Sequence, residues 1–344
     1  MPSILSVPVR ALGTVDSFGM LFSQYSSNFK TLDDILAVIG LIFVGRIALS
    51  AVWNICVGIR SMFWSRLWKK NFEKRYGGKW AVVTGCTDGI GKAYCHELAK
   101  DGLNIVLISR SMDKLNAVAE ELKSQHGVET EVVQANFVEG ETLYPRIDKH
   151  LQGKEISVLI NNVGVMISHP KYYDEVTDFE MWSHINVNMA SMAVMTKLIL
   201  PGMLKKNKGA IVNIASIAAT GPIPLLGIYA ASKAFVEFLS LSMNSEYYWG
   251  HRGITIQTVT PAYVSTNMTS FSKWTHTPNP ATPTPAQFAA SAVSTIGYTD
   301  FTTGFWAHGI MKWIVDLMPR AVYMTFMKMQ HMFLRSTVKN LHTS

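Results

Sequence analysis

Residues 80–91 read Trp80-Ala81-Val82-Val83-Thr84-Gly85-Cys86-Thr87-Asp88-Gly89-Ile90-Gly91, and this run decides the fold. Trp80–Thr84 is a short apolar run of strand type, and Ile90–Lys100 has a helical pattern. The turn between them carries Gly85, Gly89 and Gly91. Its spacing differs from the GxGxxG of many dinucleotide folds, but the physics is shared. Glycines let the backbone approach a pyrophosphate, and the following helix N-terminus favours its negative charge. The position after a strand and before a helix gives the turn its weight.

Downstream of this run, short apolar segments alternate with helical ones. Strands are expected at Ile105–Ser109, Glu131–Ala135, Val158–Asn161, Ala210–Ala215 and Ile254–Val259. Helices are expected at Lys114–Gln125, Asp178–Leu204 and Tyr229–Trp249. That alternation predicts an α/β fold: a Rossmann-type, doubly wound parallel sheet with helices on both faces. Ser272–Pro285, with four prolines, reads as a loop of the kind that covers a site. We divide the chain into an N-terminal segment (1–34), an apolar helix (35–59), a basic linker (60–78), a catalytic domain (79–304) and a tail (305–344).

Upstream, residues 1–34 carry little periodicity, and Pro2, Pro8, Gly13 and Gly19 interrupt what there is. Residues 35–59 form an apolar stretch of 25 residues, long enough at about 1.5 Å per residue to cross about 30 Å of hydrocarbon. Arg46 near its centre costs about 2.5–3.5 kcal/mol on insertion scales, which the Leu, Ile, Phe and Val residues offset. A membrane anchor, spanning or lying on the surface, is expected. Arg60, Arg66, Lys69, Lys70, Lys74, Arg75 and Lys79 follow, with Glu73 alone against them. That cluster places the large domain in the cytosol if the helix spans. It also carries most of the net charge of +7, so the basic balance does not point to nucleic acid.

A hydrophobic fraction of 48% against 16% charged residues is ample for a core and argues against disorder. The three cysteines, Cys56, Cys86 and Cys95, make no CxxC spacing and no disulfide framework, which suggests a reducing compartment; Cys86 reads as a small filler within the glycine turn. The ten histidines form no HExxH or similar pattern, so no metal site is expected. In the tail, Lys312, Asp316, Arg320 and Lys328 punctuate an apolar run over Phe305–Leu334. It reads either as an amphipathic membrane surface or as a helix docked on its own domain or on a second subunit.

The chemistry concentrates in Gly227-Ile228-Tyr229-Ala230-Ala231-Ser232-Lys233. On a helix Tyr229 and Lys233 share a face. An ammonium beside a phenol favours the phenolate and is expected to lower its pKa from about 10, making Tyr229 a proton donor to a developing alkoxide. Ser216, ending the strand before, can hydrogen-bond the same oxygen. Arg110, following the second strand, stands where an acid would accept from a ribose 2′-hydroxyl. An Arg there suits a 2′-phosphate, which favours NADP(H).

Taken in order, TGCTDGIG, NNVG, Asn188 in HINVNMASM, Ser216 in VNIAS, YAASK and PAYVST resemble the short-chain dehydrogenase/reductase family over about residues 79–303. The resemblance implies that Tyr229 is the general acid/base and that Lys233 lowers its pKa and holds the nicotinamide ribose. It implies that Ser216 orients the carbonyl and that Asn188, rather than Asn186, holds a proton-relay water. Gly85, Thr87, Asp88, Gly89, Ile90, Gly91 and Arg110 would bind the cofactor. Asn136, Asn162 and Gly164 would line its adenosine side, and Val264 and Thr266 would fix the carboxamide. Two positions depart from the family pattern: Asn136 replaces the usual Asp, and Pro261-Ala262 the usual Pro-Gly.

The anchor, LNIVLISR, INVN, LPGM and the run before YAASK resemble the 17-beta-hydroxysteroid dehydrogenase / very-long-chain 3-oxoacyl-CoA reductase branch. VDSF and TGFWAH resemble its hydroxysteroid dehydrogenase-like members, some of which are inactive and mitochondrial. The branch implies an NADPH-dependent reductase of a ketone, reversibly oxidising the hydroxyl, on a steroid or long-chain acyl lipid. It implies an endoplasmic reticulum membrane location, with the mitochondrion as alternative, and a homodimer through the long helices. The apolar residues Pro222, Ile223, Leu225, Leu226, Met268, Phe271 and Trp274 are expected around an apolar substrate. The other reading is a cofactor-binding scaffold without activity, as in the inactive members.

Overall fold

The structure, a computed structural model, describes residues 12–62, 64–67, 71–251, 253–269 and 276–342. The chain divides into two units, one ending at Val57 and the other beginning at Gly58.

The first unit is helical: α1 runs over Leu12–Met62. Helix therefore covers much of 1–34, where the glycines suggested interruption; a lone helical Gly costs only about 1 kcal/mol relative to Ala. The stretch Lys30–Arg60 is long and apolar enough to cross a membrane, and its most apolar window contains no buried residue.

The second unit is built on seven parallel strands: β1 Trp80–Thr84, β2 Asn104–Ser109, β3 Thr130–Gln134, β4 Ile156–Asn161, β5 Gly209–Ile214, β6 Ile254–Val259 and β7 Phe301–Thr302. They lie in the order β3-β2-β1-β4-β5-β6-β7, so the winding reverses between β1 and β4. Helices cover both faces, and strand alternation divides the core between them. Ala81, Val83, Ile105, Leu107, Val158 and Ile160 face one layer with Leu98, Leu115 and Phe288. Val82, Val106, Ile108, Leu159 and Ile211 face the other with Ile147, Met195 and Met203. The first layer holds α3 (Gly89–Lys100), α4 (Met112–His126) and α9 (Pro285–Thr295). The second holds α5 (Tyr144–Leu151), α7 (Ser191–Lys206) and α8 (Gly227–Tyr248).

Three features differ from the sequence reading. The basic stretch 60–78 is more than a linker: it contains α2 (Phe72–Tyr76), whose Phe72 and Tyr76 are buried in the core. The expected helix 178–204 is α6 (Asp178–Ser183), a π-helical turn His184–Ala190, then α7. Pro201 lies inside α7. The tail is two helices, α10 (Trp306–Asp316) and α11 (Arg320–His342). Of the readings left open for it, docking on its own domain is what the structure shows, and an apolar outer face including Trp313, Val322 and Phe333 stays exposed. Arg335 fastens α11 by a two-pronged ion pair with Glu175, with its guanidinium 5.1 Å from the centre of the Tyr172 ring.

Buried amides tie the sheet to its helices. Asn161 and Asn213, register partners on β4 and β5, are joined by Asn161 Nδ2 donating to Asn213 Oδ1 at 2.9 Å. Asn161 also donates to Thr196 on α7 and Asn213 to Ser240 on α8, each at 3.0 Å. A buried polar group costs stability unless it is paired, so this network holds the two helices to one register.

Candidate active site

The glycine turn has the shape that its residues demand. Gly85 and Gly89 have φ of 65° and 53°, in the left-handed region that favours Gly. A Cβ on Gly91 would collide with the Gly85 carbonyl and the Asn162 amide. Asp88 caps α3, its Oδ1 accepting from Gly89 N at 2.7 Å. Thr87 Oγ1 and Ser109 Oγ lie 2.9 Å apart, linking the turn to the end of β2. Asn162 closes it from β4, donating to the Thr84 and Gly85 carbonyls at 3.0 and 3.1 Å.

The turn opens one end of a cavity of about 670 Å³ running along the carboxyl ends of the strands. Most of the residues singled out in the sequence line it: Gly85, Thr87, Asp88, Gly89, Ile90, Arg110, Asn136, Asn162, Gly164, Ser216, Tyr229, Lys233, Val264 and Thr266. Gly91 and Asn188 stand behind the wall. Arg110 is exposed at the tip of β2, and among the described residues its guanidinium makes no ion pair or hydrogen bond. The walls thus fit a nicotinamide dinucleotide: glycines and a helix N-terminus at one end, an uncommitted cation beside them, and polar side chains at the other.

At that other end, Tyr229 and Lys233 lie on the inner face of α8, both buried. Ser216 and Tyr229 line the cavity together, with the Ser216 side chain close enough to act on the Tyr229 hydroxyl. Lys233 Nζ donates to the Ile214 carbonyl at 3.0 Å and sits 6.0 Å from the centre of the Tyr229 ring. Burial raises the Tyr229 phenol, and the nearby Ser216 side chain only partly opposes it. The expected lowering by Lys233 is therefore absent. Burial dominates, and the ammonium points to a carbonyl; the Lys233 amine is itself pulled down to about 8 by burial.

Asn188 shows what the π-helical turn achieves. Its Oδ1 accepts from Val165 N at 2.7 Å, and its Nδ2 donates to Val165 O and Ser232 Oγ at 2.9 Å each. The side chain thereby clamps the loop after β4 to α8, close to Gly164. Asn186, by contrast, donates to Val138 O at 3.1 Å, away from this junction.

Several apolar residues fall as expected: Ile223, Leu226 and Met268 line the cavity, whereas Pro222 and Leu225 do not. Phe271 and Trp274 lie outside the described residues. Sequence reasoning missed the largest apolar contribution, Met311, Ile314, Val315, Phe326, Met327 and Leu334 from α10 and α11. It also missed His308, which is fully buried. Ala262 N donates to its Nδ1 at 3.3 Å, and its Nε2 donates to the carbonyls of Tyr263 and Ala281 at 3.1 and 3.2 Å. His308 thus pins the loop that carries Val264 and Thr266. The TGFWAH motif was visible, but nothing local says what its His would touch.

Burial holds the His308 imidazole neutral, with its pKa pushed down to about 4. The folded value lies below the unfolded one of about 6.5, so its contribution is intact above pH 6.5 and is lost as pH falls toward 4. A loss on the order of 3 kcal/mol is expected across that window. Thermal melts of the wild type and His308→Asn from pH 7 to 4 test this. Parallel curves would remove His308 as the cause.

The sequence pattern of the short chain dehydrogenase family matches residues 79–276, and the chain belongs to that family. Among its relatives, the human protein named "Inactive hydroxysteroid dehydrogenase-like protein 1" is 38% identical over 309 residues, 90% of this chain and 93% of that protein. The very-long-chain 3-oxoacyl-CoA reductase of Anas platyrhynchos is 46% identical over 252 residues, covering 73% of this chain and 79% of its own. A short-chain dehydrogenase from Sphingobium yanoikuyae, solved in complex with NADPH, superposes with a TM-score of 0.56 at 28% identity, covering 62% and 82% of the two chains. A structure from work on 7beta-hydroxysteroid dehydrogenase stereoselectivity shares the fold, with a TM-score of 0.68 at 21% identity over 75% of this chain and all of that one.

Proposed function

We propose that this chain is an NADP(H)-dependent oxidoreductase that reduces a ketone on a lipid, a steroid or a long acyl chain, to the alcohol. The observation that carries the reading is the placing of Tyr229, Ser216 and Lys233 at one end of a cavity whose other end is the glycine turn. NADPH, when bound, supplies the hydride that attacks the carbonyl carbon. Ser216 hydrogen-bonds the carbonyl oxygen, and Tyr229 gives that oxygen its hydroxyl proton as negative charge develops there. Lys233, with the water that Asn188 is proposed to hold, returns a proton to the phenolate. Gly85, Thr87, Asp88, Gly89, Ile90 and Gly91 would form the pyrophosphate cradle, with Asn136, Asn162 and Gly164 along the adenosine side. Val264 and Thr266 would hold the carboxamide.

Arg110 supports NADP(H), being uncommitted where a 2′-phosphate would lie. Arg110→Asp is expected to weaken NADPH binding about 10–100-fold while NADH binding is retained or improved, read by fluorescence titration of both cofactors. Equal effects on the two would remove Arg110 from that role.

The Lys30–Arg60 helix supports a membrane location, assigned to the endoplasmic reticulum by resemblance to the reductase branch, with the mitochondrion as alternative. Exposed Phe238 on α8 fits a homodimer through α7 and α8. A second reading, a cofactor-binding scaffold without activity, rests on the human relative named as inactive. NADPH oxidation against a panel of lipid ketones separates the two. No turnover with any of them, with NADPH bound, would favour the scaffold.

A further inference from the structure

The amino ends of the strands carry a second pocket, of about 600 Å³, at the edge of the sheet opposite Tyr229. Strand order makes it. β1, β4 and β5 are neighbours in a parallel sheet, so the segments that enter them lie side by side. Gly77 and Gly78, with φ of 62° and 151°, turn the chain from α2 toward β1. Asn207, left-handed at φ 48°, turns it from α7 toward β5, and Glu155 stands just before β4.

Lysines converge here from two distant segments: Lys74 and Lys79 from α2 and the turn after it, Lys206 and Lys208 from the end of α7. Lys206 is committed, its Nζ donating to the Gly77 carbonyl and, at 2.8 Å, to the Ile156 carbonyl. It ties the strand entries together. Lys208 packs its stem on Gly77, where a Cβ would stand 3.0 Å from Lys208 Cδ. Among the described residues, the ammonium groups of Lys74, Lys79 and Lys208 make no ion pair or hydrogen bond. Glu73 and Glu155 also line the pocket, which leaves four lysines against two glutamates, a surplus of two positive charges. Like charges gathered round one hollow repel, and an anion between them turns that repulsion into attraction.

We propose that Lys74, Lys79 and Lys208 form a binding site for a phosphate monoester, carried by a lipid headgroup or by a soluble ester. A monoester bears a charge of about −1.5 to −2 at pH 7 and three strong acceptor oxygens. It therefore matches both the surplus charge and the three free ammonium groups, whereas a phosphodiester brings about one charge. Chain connectivity favours the lipid. Helix α1 ends at Met62 and α2 begins at Phe72, so the chain between them spans at most roughly 35 Å. That segment carries Arg66, Lys69 and Lys70, and basic clusters beside an apolar helix are drawn to anionic lipid. The site does not rest on the reductase reading.

The test uses the full chain in detergent micelles and reads binding by microscale thermophoresis. The probes are dioctanoyl phosphatidic acid, a monoester, and dioctanoyl phosphatidylglycerol, an anionic diester with the same tails. Glycerol 3-phosphate supplies the monoester without tails. Phosphatidic acid is expected to bind about tenfold more tightly than phosphatidylglycerol. The pair Lys79→Gln/Lys208→Gln is expected to weaken it about tenfold, and Lys74→Gln alone to repeat part of that loss. A control pair at exposed lysines outside the pocket, Lys114→Gln/Lys197→Gln, is expected to leave it unchanged. Glycerol 3-phosphate bound as tightly as the lipid, and lost in the pocket pair, sustains the site with a soluble ester as its ligand. No preference for the monoester over the diester, or equal losses in the pocket and control pairs, overturns the site and leaves only diffuse surface charge. Binding of neither monoester overturns it as well.

Discussion

Tyr229→Phe is expected to lower kcat/KM for ketone reduction by about 10²–10⁴, with NADPH affinity left near the wild-type value. The substitution removes one oxygen and keeps the ring, so the edge-on packing of His184 at 6.3 Å between ring centres is retained. What is lost is the acid that neutralises the developing alkoxide. In this protein that acid starts at a disadvantage, because burial raises the Tyr229 phenol. For proton donation the shift is tolerable: a raised pKa keeps the phenol protonated in the resting site. Stopped-flow NADPH oxidation together with a cofactor titration separates the two effects. A variant turning over as fast as the wild type would end the assigned role. Loss of NADPH binding in parallel with turnover would point instead to a collapsed site.

The second large effect is expected at Gly91. A Cβ there meets the Gly85 backbone carbonyl and the side-chain amide of Asn162, which is itself held by the Thr84 and Gly85 carbonyls. The carbonyl is backbone and the amide is fixed by two hydrogen bonds, so Gly91→Ala must shift the turn itself. Overpacking of this kind costs about 1–3 kcal/mol, which for a domain of this size corresponds to a fall in Tm of about 2–10 °C. The Asn162 bonds to the Thr84 and Gly85 carbonyls are the first to be strained. The thermal shift produced by saturating NADPH should shrink or vanish as well, because the donors at the start of α3 no longer converge. A variant that keeps both its Tm and its cofactor-induced shift would show that the turn has room to adjust.

How much of this was legible beforehand follows from how local each signal is. Six of the seven strands were found at nearly their observed limits, because short runs rich in Val and Ile stand out between the helical stretches. Phe301–Thr302 was missed because two residues are too few for any pattern. The glycine turn was legible because its chemistry lies within eight consecutive residues. Tyr229 and Lys233 were legible because four residues on a helix bring them onto one face. The Asn161–Asn213 bridge was not, since it joins residues 52 apart whose meeting depends on strand order. His308 was invisible for the same reason, its partners lying 27 to 46 residues away.

The sequence by itself determined the alternating layers, the phosphate-type turn, the pairing of Tyr229 with Lys233 and the apolar N-terminal helix. Each is written in a repeat or spacing shorter than one element. Tertiary structure alone decided that the tail closes the cavity instead of only presenting an apolar surface. It alone decided that the helix over 178–206 opens into a π-helical turn to release Asn188 toward Val165. It alone decided that burial, not the neighbouring ammonium, governs the Tyr229 phenol. An amphipathic stripe records that a helix has an apolar side without recording what that side will cover. Likewise, a pKa depends on the dielectric and dipoles around a group, and these exist only once distant segments have packed.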